Sequence, residues 1–150
     1  MTPPVSATYR LQLAERSLER GRDNHQRRQW RDSALFSRAS VEHAAKAILA
    51  CFAAVPRTHE PARLLRAALE AEGFPAELRA RAGDLLAELE GFGMQEHILL
   101  SYGDEEHGID PWSMVDEVRA TGHLRIAHAT TALARECVGA TLGGDDSKTI

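Results

Sequence analysis

The residues with the chemistry to form a site begin with Glu42 and Lys46, four apart in Ser40-Val41-Glu42-His43-Ala44-Ala45-Lys46-Ala47. On a helix that spacing puts a carboxylate and an ammonium on one face, where they form an ordinary ion pair or line a groove. His43 lies beside Glu42, and a packed or hydrogen-bonded role outweighs a catalytic one for it. A second group is Ser101-Tyr102-Gly103-Asp104-Glu105-Glu106-His107. Tyr102 and Asp104 could shape the mouth of a pocket, although Asp104 could equally cap the turn beside Gly103 and Tyr102 could be core. Four adjacent residues, Asp104 to His107, cannot all point at one ion, and no other ligand cluster is evident, so no metal is expected. No nucleophile elbow, Walker loop, HExxH or dinucleotide glycine motif is present, and no cofactor is expected.

The stretch holding Glu42 and Lys46, Trp30 to Phe52, reads as the central helix. Trp30, Ala34, Ser37, Val41, Ala45, Ile48 and Phe52 recur at steps of three and four, and Leu35, Ala39, Ala44, Ala47 and Cys51 widen the stripe. A stripe that wide suits a helix with neighbours on two sides. A helix from about Tyr9 to Arg22 should precede it and fold back across a short polar joint. Pro56 should end the central helix near Ala54. Pro61 suits the first turn of a third helix carrying Leu64, Leu65 and Ala68. Leu78, Ala82, Leu85, Leu89 and Phe92 mark a fourth. Met94 to Leu100 is ambiguous between helical and extended structure, and Ser101 to Pro111 reads as a loop. A last helix starts between Ser113 and Asp116, with Leu124, Ala127, Thr131, Ala134 and Val138 as its buried row. Trp30 and Trp112 are expected as core or interface anchors. The result is an all-α, up-and-down helical bundle of four long helices plus one short helix. A flexible leader over 1–8 and a disordered tail over 142–150 flank the helical domain, 9–141.

The bulk numbers agree with one soluble domain: 150 residues, 43% hydrophobic and 27% charged. Charges interrupt every apolar run short of a bilayer span, so no membrane partner is expected. Cys51 and Cys137 form no CxxC pair, and a cytoplasmic, reduced protein is the default. The net charge of −4 hides an asymmetry. Tyr9 to Arg38 holds eight arginines against four acids, while Glu96 to Glu117 holds seven acids and no Lys or Arg. Such runs are usually solvated faces. The sharper reading is a basic strip for phosphate or RNA and an acidic loop for something else. Net acidity argues against generic DNA binding.

In order and spacing the chain resembles the HEPN family (higher eukaryotes and prokaryotes nucleotide-binding). Ser40 to Leu49 is similar to the family's alanine-rich second helix with a Glu and a Lys four apart. Pro56-Arg57-Thr58-His59 resembles its Pro-x-Thr-His joint, with Leu64-Leu65 following. Ser101-Tyr102-Gly103-Asp104, Pro111 and the closing alanine-rich helix resemble its late loop and last helix. The match spans Tyr9 to Val138.

The resemblance implies a helical bundle, usually a homodimer, with two possible activities. Some members partner nucleotidyltransferases in toxin–antitoxin operons and bind nucleotide. Others are metal-independent ribonucleases with an Arg, four to six residues, then a His on a late helix: His takes the 2′-hydroxyl proton and Arg stabilises the phosphate. Here Gln95 to His107 holds His97 and His107 but no Arg. Arg38 and His43 have the spacing on the wrong helix, and residues five apart point about 140° apart. Arg125 and His128 share a face but stand too close in sequence. The leading expectation is a HEPN-like binding module for nucleotide, RNA or a partner nucleotidyltransferase. Its cleft would use Glu42, Lys46, Tyr102 and Asp104, with Arg38 and His43 nearby. A ribonuclease and a purely structural dimer are the alternatives. His59 is expected to fix the joint.

Overall fold

The computed structural model describes residues 3–148, with the side chains of residues 5–141. Seven α-helices follow in order: α1 (Pro3–Gln26), α2 (Trp30–Ala50), α3 (Pro61–Glu70), α4 (Arg79–Leu89), α5 (Met94–Tyr102), α6 (Pro111–Met114) and α7 (Glu117–Lys148). Single 3₁₀ turns at Ala76–Leu78 and Glu90–Phe92 bracket α4. The fold is the all-α bundle that the periodicity implies. Its length is distributed differently, because α1, α2 and α7 form the body while α3 to α6 are short helices packed around it.

Helix α2 is central because both of its sides are apolar. Val41, Ala44, Ala45, Ala47, Ile48 and Leu49 are all buried, against α1 and α7 and, at its C-terminal end, α3. Small residues let α1 approach closely. A Cβ on Gly21 would stand 2.9 Å from Ser37 Oγ. Ser33 Oγ donates to the Gly21 carbonyl (2.8 Å), and Ser40 Oγ donates to the Ala14 carbonyl (2.8 Å). Going seven residues back along α1, from Gly21 to Ala14, goes seven forward along α2, from Ser33 to Ser40, as one antiparallel register requires. Ser40 Oγ also lies 3.1 Å from Thr131 Oγ1 on α7, so one buried hydroxyl ties three helices together.

Three local expectations change. The leader expected over 1–8 is helical from Pro3, and Ala7 is fully buried. Pro3 and Pro4 open α1, where a missing backbone N–H breaks no intrahelical bond. Helix α2 stops at Ala50, and residues 51–53 form turns. The ambiguous Met94 to Leu100 is helical, and α5 also takes Ser101 and Tyr102 from the expected loop. It ends at Gly103, whose φ is 69°, and a Cβ there would fall 2.2 Å from the Ile109 carbonyl oxygen. Asp104 and Ile109 close the loop with two backbone bonds of 2.8 and 2.9 Å, and Asp110 caps α6. The side chains of the tail expected over 142–150 lie outside the described residues.

Candidate functional site

Arg38, Glu42 and Lys46 step by four along α2 and so share one stripe. Arg38 is the most deeply buried of them, with its side chain 5% exposed. Its Nη2 donates to the carbonyls of His59 (3.1 Å) and Phe92 (3.2 Å), and Nη1 stands 3.6 Å from Glu42 Oε1. Its Nε has no partner. The guanidinium thus fastens α2 to the α2–α3 joint and to the turn before α5. Burial pulls its pKa down, against Glu42 and Glu96, although an arginine remains charged.

Glu42 is the hub. It accepts from Lys46 Nζ (3.2 Å) and lies 3.2 Å from the Nδ1 of His59 through both oxygens. Burial raises its carboxyl, but the bonds and charges of His59 and Lys46 outweigh that and hold it below its ordinary value. His59, in the joint between α2 and α3, reaches back to α2 in this way, and its exposed ring completes the cluster.

A second carboxylate lies across Phe92. Glu96, on α5, is gripped by Arg119 at the start of α7, with Nε to Oε1 at 3.0 Å and Nη2 to Oε2 at 2.9 Å, a bidentate pair. His123 is one turn further along α7. Its Nδ1 donates to the Arg119 carbonyl (2.9 Å), and its Nε2 stands 2.9 Å from Glu96 Oε1, off the axis of a linear hydrogen bond. Its ring packs on Phe92 with centroids 4.7 Å apart. Burial pushes Glu96 up, and His123 and Arg119 bring it down to about 2. The Phe92 carbonyl and ring, with the charge coupling of Arg38 to Glu96, join the two groups into one seam between α2, α5 and α7.

Of the residues singled out by sequence, Glu42, Lys46, Arg38 and His59 come together. Tyr102 and Asp104 do not join them. They line a separate groove with Gln95, Ile98, Leu99 and Met114, where Asp104 also meets His107 Nδ1 at 2.8 Å. His43 faces elsewhere. Its Nδ1 is buried with no hydrogen-bond partner, and its pKa is lowered by burial and by Lys46 and Arg10 against Glu42. Arg38 and His43 thus share no contact, as their divergent directions on a helix require. Arg125 pairs with Glu88 at 2.8 Å, while His128 meets Arg22, so that second Arg–His candidate is also split. Trp112 is exposed, with the Arg31 guanidinium 4.7 Å over its ring, and so is no core anchor.

Sequence reasoning missed Glu96, Arg119 and His123. The four-residue step from Arg119 to His123 was visible, but nothing local pairs either with a carboxylate 23 residues away from Arg119. Among the described residues, no group of three or more His, Cys, Asp or Glu could hold a metal ion, and no helix is long and apolar enough to cross a membrane.

No curated protein matches the chain. The crystal structure of TT1696 from Thermus thermophilus is similar with a TM-score of 0.68 at 18% identity, covering 91% of this chain and 99% of that one, which is a likeness of fold. The model of the HEPN domain matches residues 7–97, more than half of the chain, and that span includes most of α1, the Arg38–Glu42–Lys46 stripe, His59 and Glu96. The helical order, the joint histidine and this match agree, and the chain belongs to the HEPN domain family.

Proposed function

We propose that the protein is a HEPN-type binding module whose seam takes a phosphate-bearing ligand, a nucleotide or an RNA. One observation carries the reading: the seam holds three fixed cations, Arg38, Lys46 and Arg119, against two carboxylates, Glu42 and Glu96. A partly buried excess of positive charge is stabilised by an incoming anion, and low local dielectric strengthens that attraction. His59 and Arg119 bring the cluster to the surface. Next to them a pocket of about 280 Å³ is lined by Glu60, Pro61, Arg63, Arg66, Leu89, Glu90 and Gly93, where Arg66 pairs with Glu90 and its two arginines are matched by two carboxylates. Membership of the family supports a homodimer, a nucleotidyltransferase partner of the toxin–antitoxin kind and a cytoplasmic setting as the context of this site.

The test is thermal unfolding with ATP and with a short mixed-sequence RNA. Either ligand at about a hundred times its Kd should add roughly 3 kcal/mol and raise the midpoint. Lys46→Ala should abolish that rise while remaining folded, because it removes a partly exposed cation and leaves Arg38 on its carbonyls. A flat response to both ligands up to about 1 mM, which is weaker than any useful site, would leave a structural helical dimer as the better account.

A metal-independent ribonuclease is favoured by one contact. Glu42 engages Nδ1 of His59 and leaves Nε2 of an exposed ring as a base. RNA incubated with the protein in EDTA should then be cut, and His59→Ala should stop it. Intact RNA with the unsubstituted protein would dismiss this activity.

A further inference from the structure

The groove that holds Tyr102 and Asp104 lies apart from the charged seam and has no role in the reading above. Met94, Ile98 and Tyr102 step by four along α5, and each is about half exposed, at 46%, 46% and 60%. They form one apolar stripe on the outer side of the helix, spanning about 12 Å by helix geometry. Beside it runs a groove of about 630 Å³, lined by the apolar Ile98, Leu99, Tyr102 and Met114 and by the acidic Asp104 and Glu105. The charged residues that line the groove, Asp104 and Glu105, are both acids, and Glu106 follows them in the chain. Among the described residues Glu105 and Glu106 have no salt-bridge partner, whereas Asp104 meets His107, Glu96 faces the seam and Arg119, and Arg31 covers Trp112.

Exposed apolar residues at helical spacing, bordered by polar groups, are the form of a helix-binding surface. The acidic border narrows what can sit there. An anionic membrane and a nucleic acid are both repelled by it. A small amine would fill the groove but leave Met94, which lies outside it, uncovered. We infer that the α5 face docks a basic amphipathic helix of a partner protein. Its apolar side chains enter beside Ile98 and Tyr102, and its Lys and Arg residues meet Asp104, Glu105 and Glu106. Charge complementarity then supplies rate and orientation, and the apolar anchors supply most of the affinity. This does not depend on the phosphate reading, since the two surfaces share no side chain.

A fluorescein-labelled peptide of Leu and Lys, arranged to give one apolar and one basic helical face, tests the surface by anisotropy against the full chain. It should bind, and salt should weaken it. A peptide of the same composition scrambled to lose its apolar face should bind at least about tenfold more weakly. Ile98→Asp and the double variant Glu105→Lys, Glu106→Lys should each weaken the patterned peptide by about tenfold or more. All three side chains are exposed, so unchanged melting temperatures are expected, and Met94→Asp serves if Ile98→Asp unfolds. Equal binding of the two peptides, no binding of the patterned one, or no effect of the variants would overturn the inference. So would sedimentation showing that Ile98→Asp converts a dimer to a monomer, because the face would then belong to a second copy of this chain.

Discussion

Glu96 is a partly buried carboxylate whose ionisation is strongly favoured in the folded chain. Beside Phe92 its carboxylate would be costly alone, and the bidentate bond from Arg119 offsets that cost. Its folded pKa is about 2 against an ordinary 4.5. The difference corresponds to roughly 3 kcal/mol of stabilisation. Because the folded carboxyl is the stronger acid, this contribution is full above pH 4.5 and fades as pH falls towards 2. Glu96→Gln should therefore unfold at lower urea at neutral pH, and the gap from the unsubstituted protein should close near pH 2. A gap that stays constant across that range would mean that Glu96 acts by shape alone. Glu42 is lowered too, in the same sense, by His59 and Lys46 against burial.

Among the elements, the α1–α2 hairpin is the best determined. Its turn ends α1 with Gln29 N donating to the Asn24 carbonyl (2.8 Å) and Arg28 N donating to the His25 carbonyl (3.0 Å), the two bonds of a Schellman cap. The residue at the left-handed position is Arg28, with a φ of 60°. A side chain there is strained, and glycine relieves the strain at some cost in unfolded-chain entropy. Arg28→Gly should accordingly stabilise the protein by roughly 0.5 to 1 kcal/mol, read as a higher urea midpoint. A lower midpoint would show that the guanidinium makes a compensating contact. In α5 the same logic runs the other way, since Gly103 accepts no Cβ at all.

At the scale of the molecule, Cys51 at the end of α2 and Cys137 on α7 are both buried. Burial raises the Cys51 thiol, and burial together with Cys51 and Glu136 pushes Cys137 up to about 12. The thiolate is the reactive form, so neither should react with a thiol reagent while the bundle is intact. Labelling of both at the rate of global unfolding, accelerated by urea, is the expected result. Fast labelling of Cys51 alone in native buffer would mean that the turn after α2 opens independently of the core.

Periodicity alone was enough for the helical class, the central place of the Trp30 to Phe52 stretch and the Glu42–Lys46 pair, because side chains three and four apart on a helix are neighbours whatever surrounds them. The charge asymmetry between the arginine-rich start and the acidic 96–117 segment was equally plain in the order of residues. Tertiary structure alone decided what those charges meet. Arg38 anchors on carbonyls 21 and 54 residues away, and Arg119 grips a carboxylate from another helix. It also separated Tyr102 and Asp104 from Glu42 and Lys46, and Arg38 from His43. Spacing along one helix fixes only direction around its own axis, whereas contact between groups on different helices depends on how the helices pack.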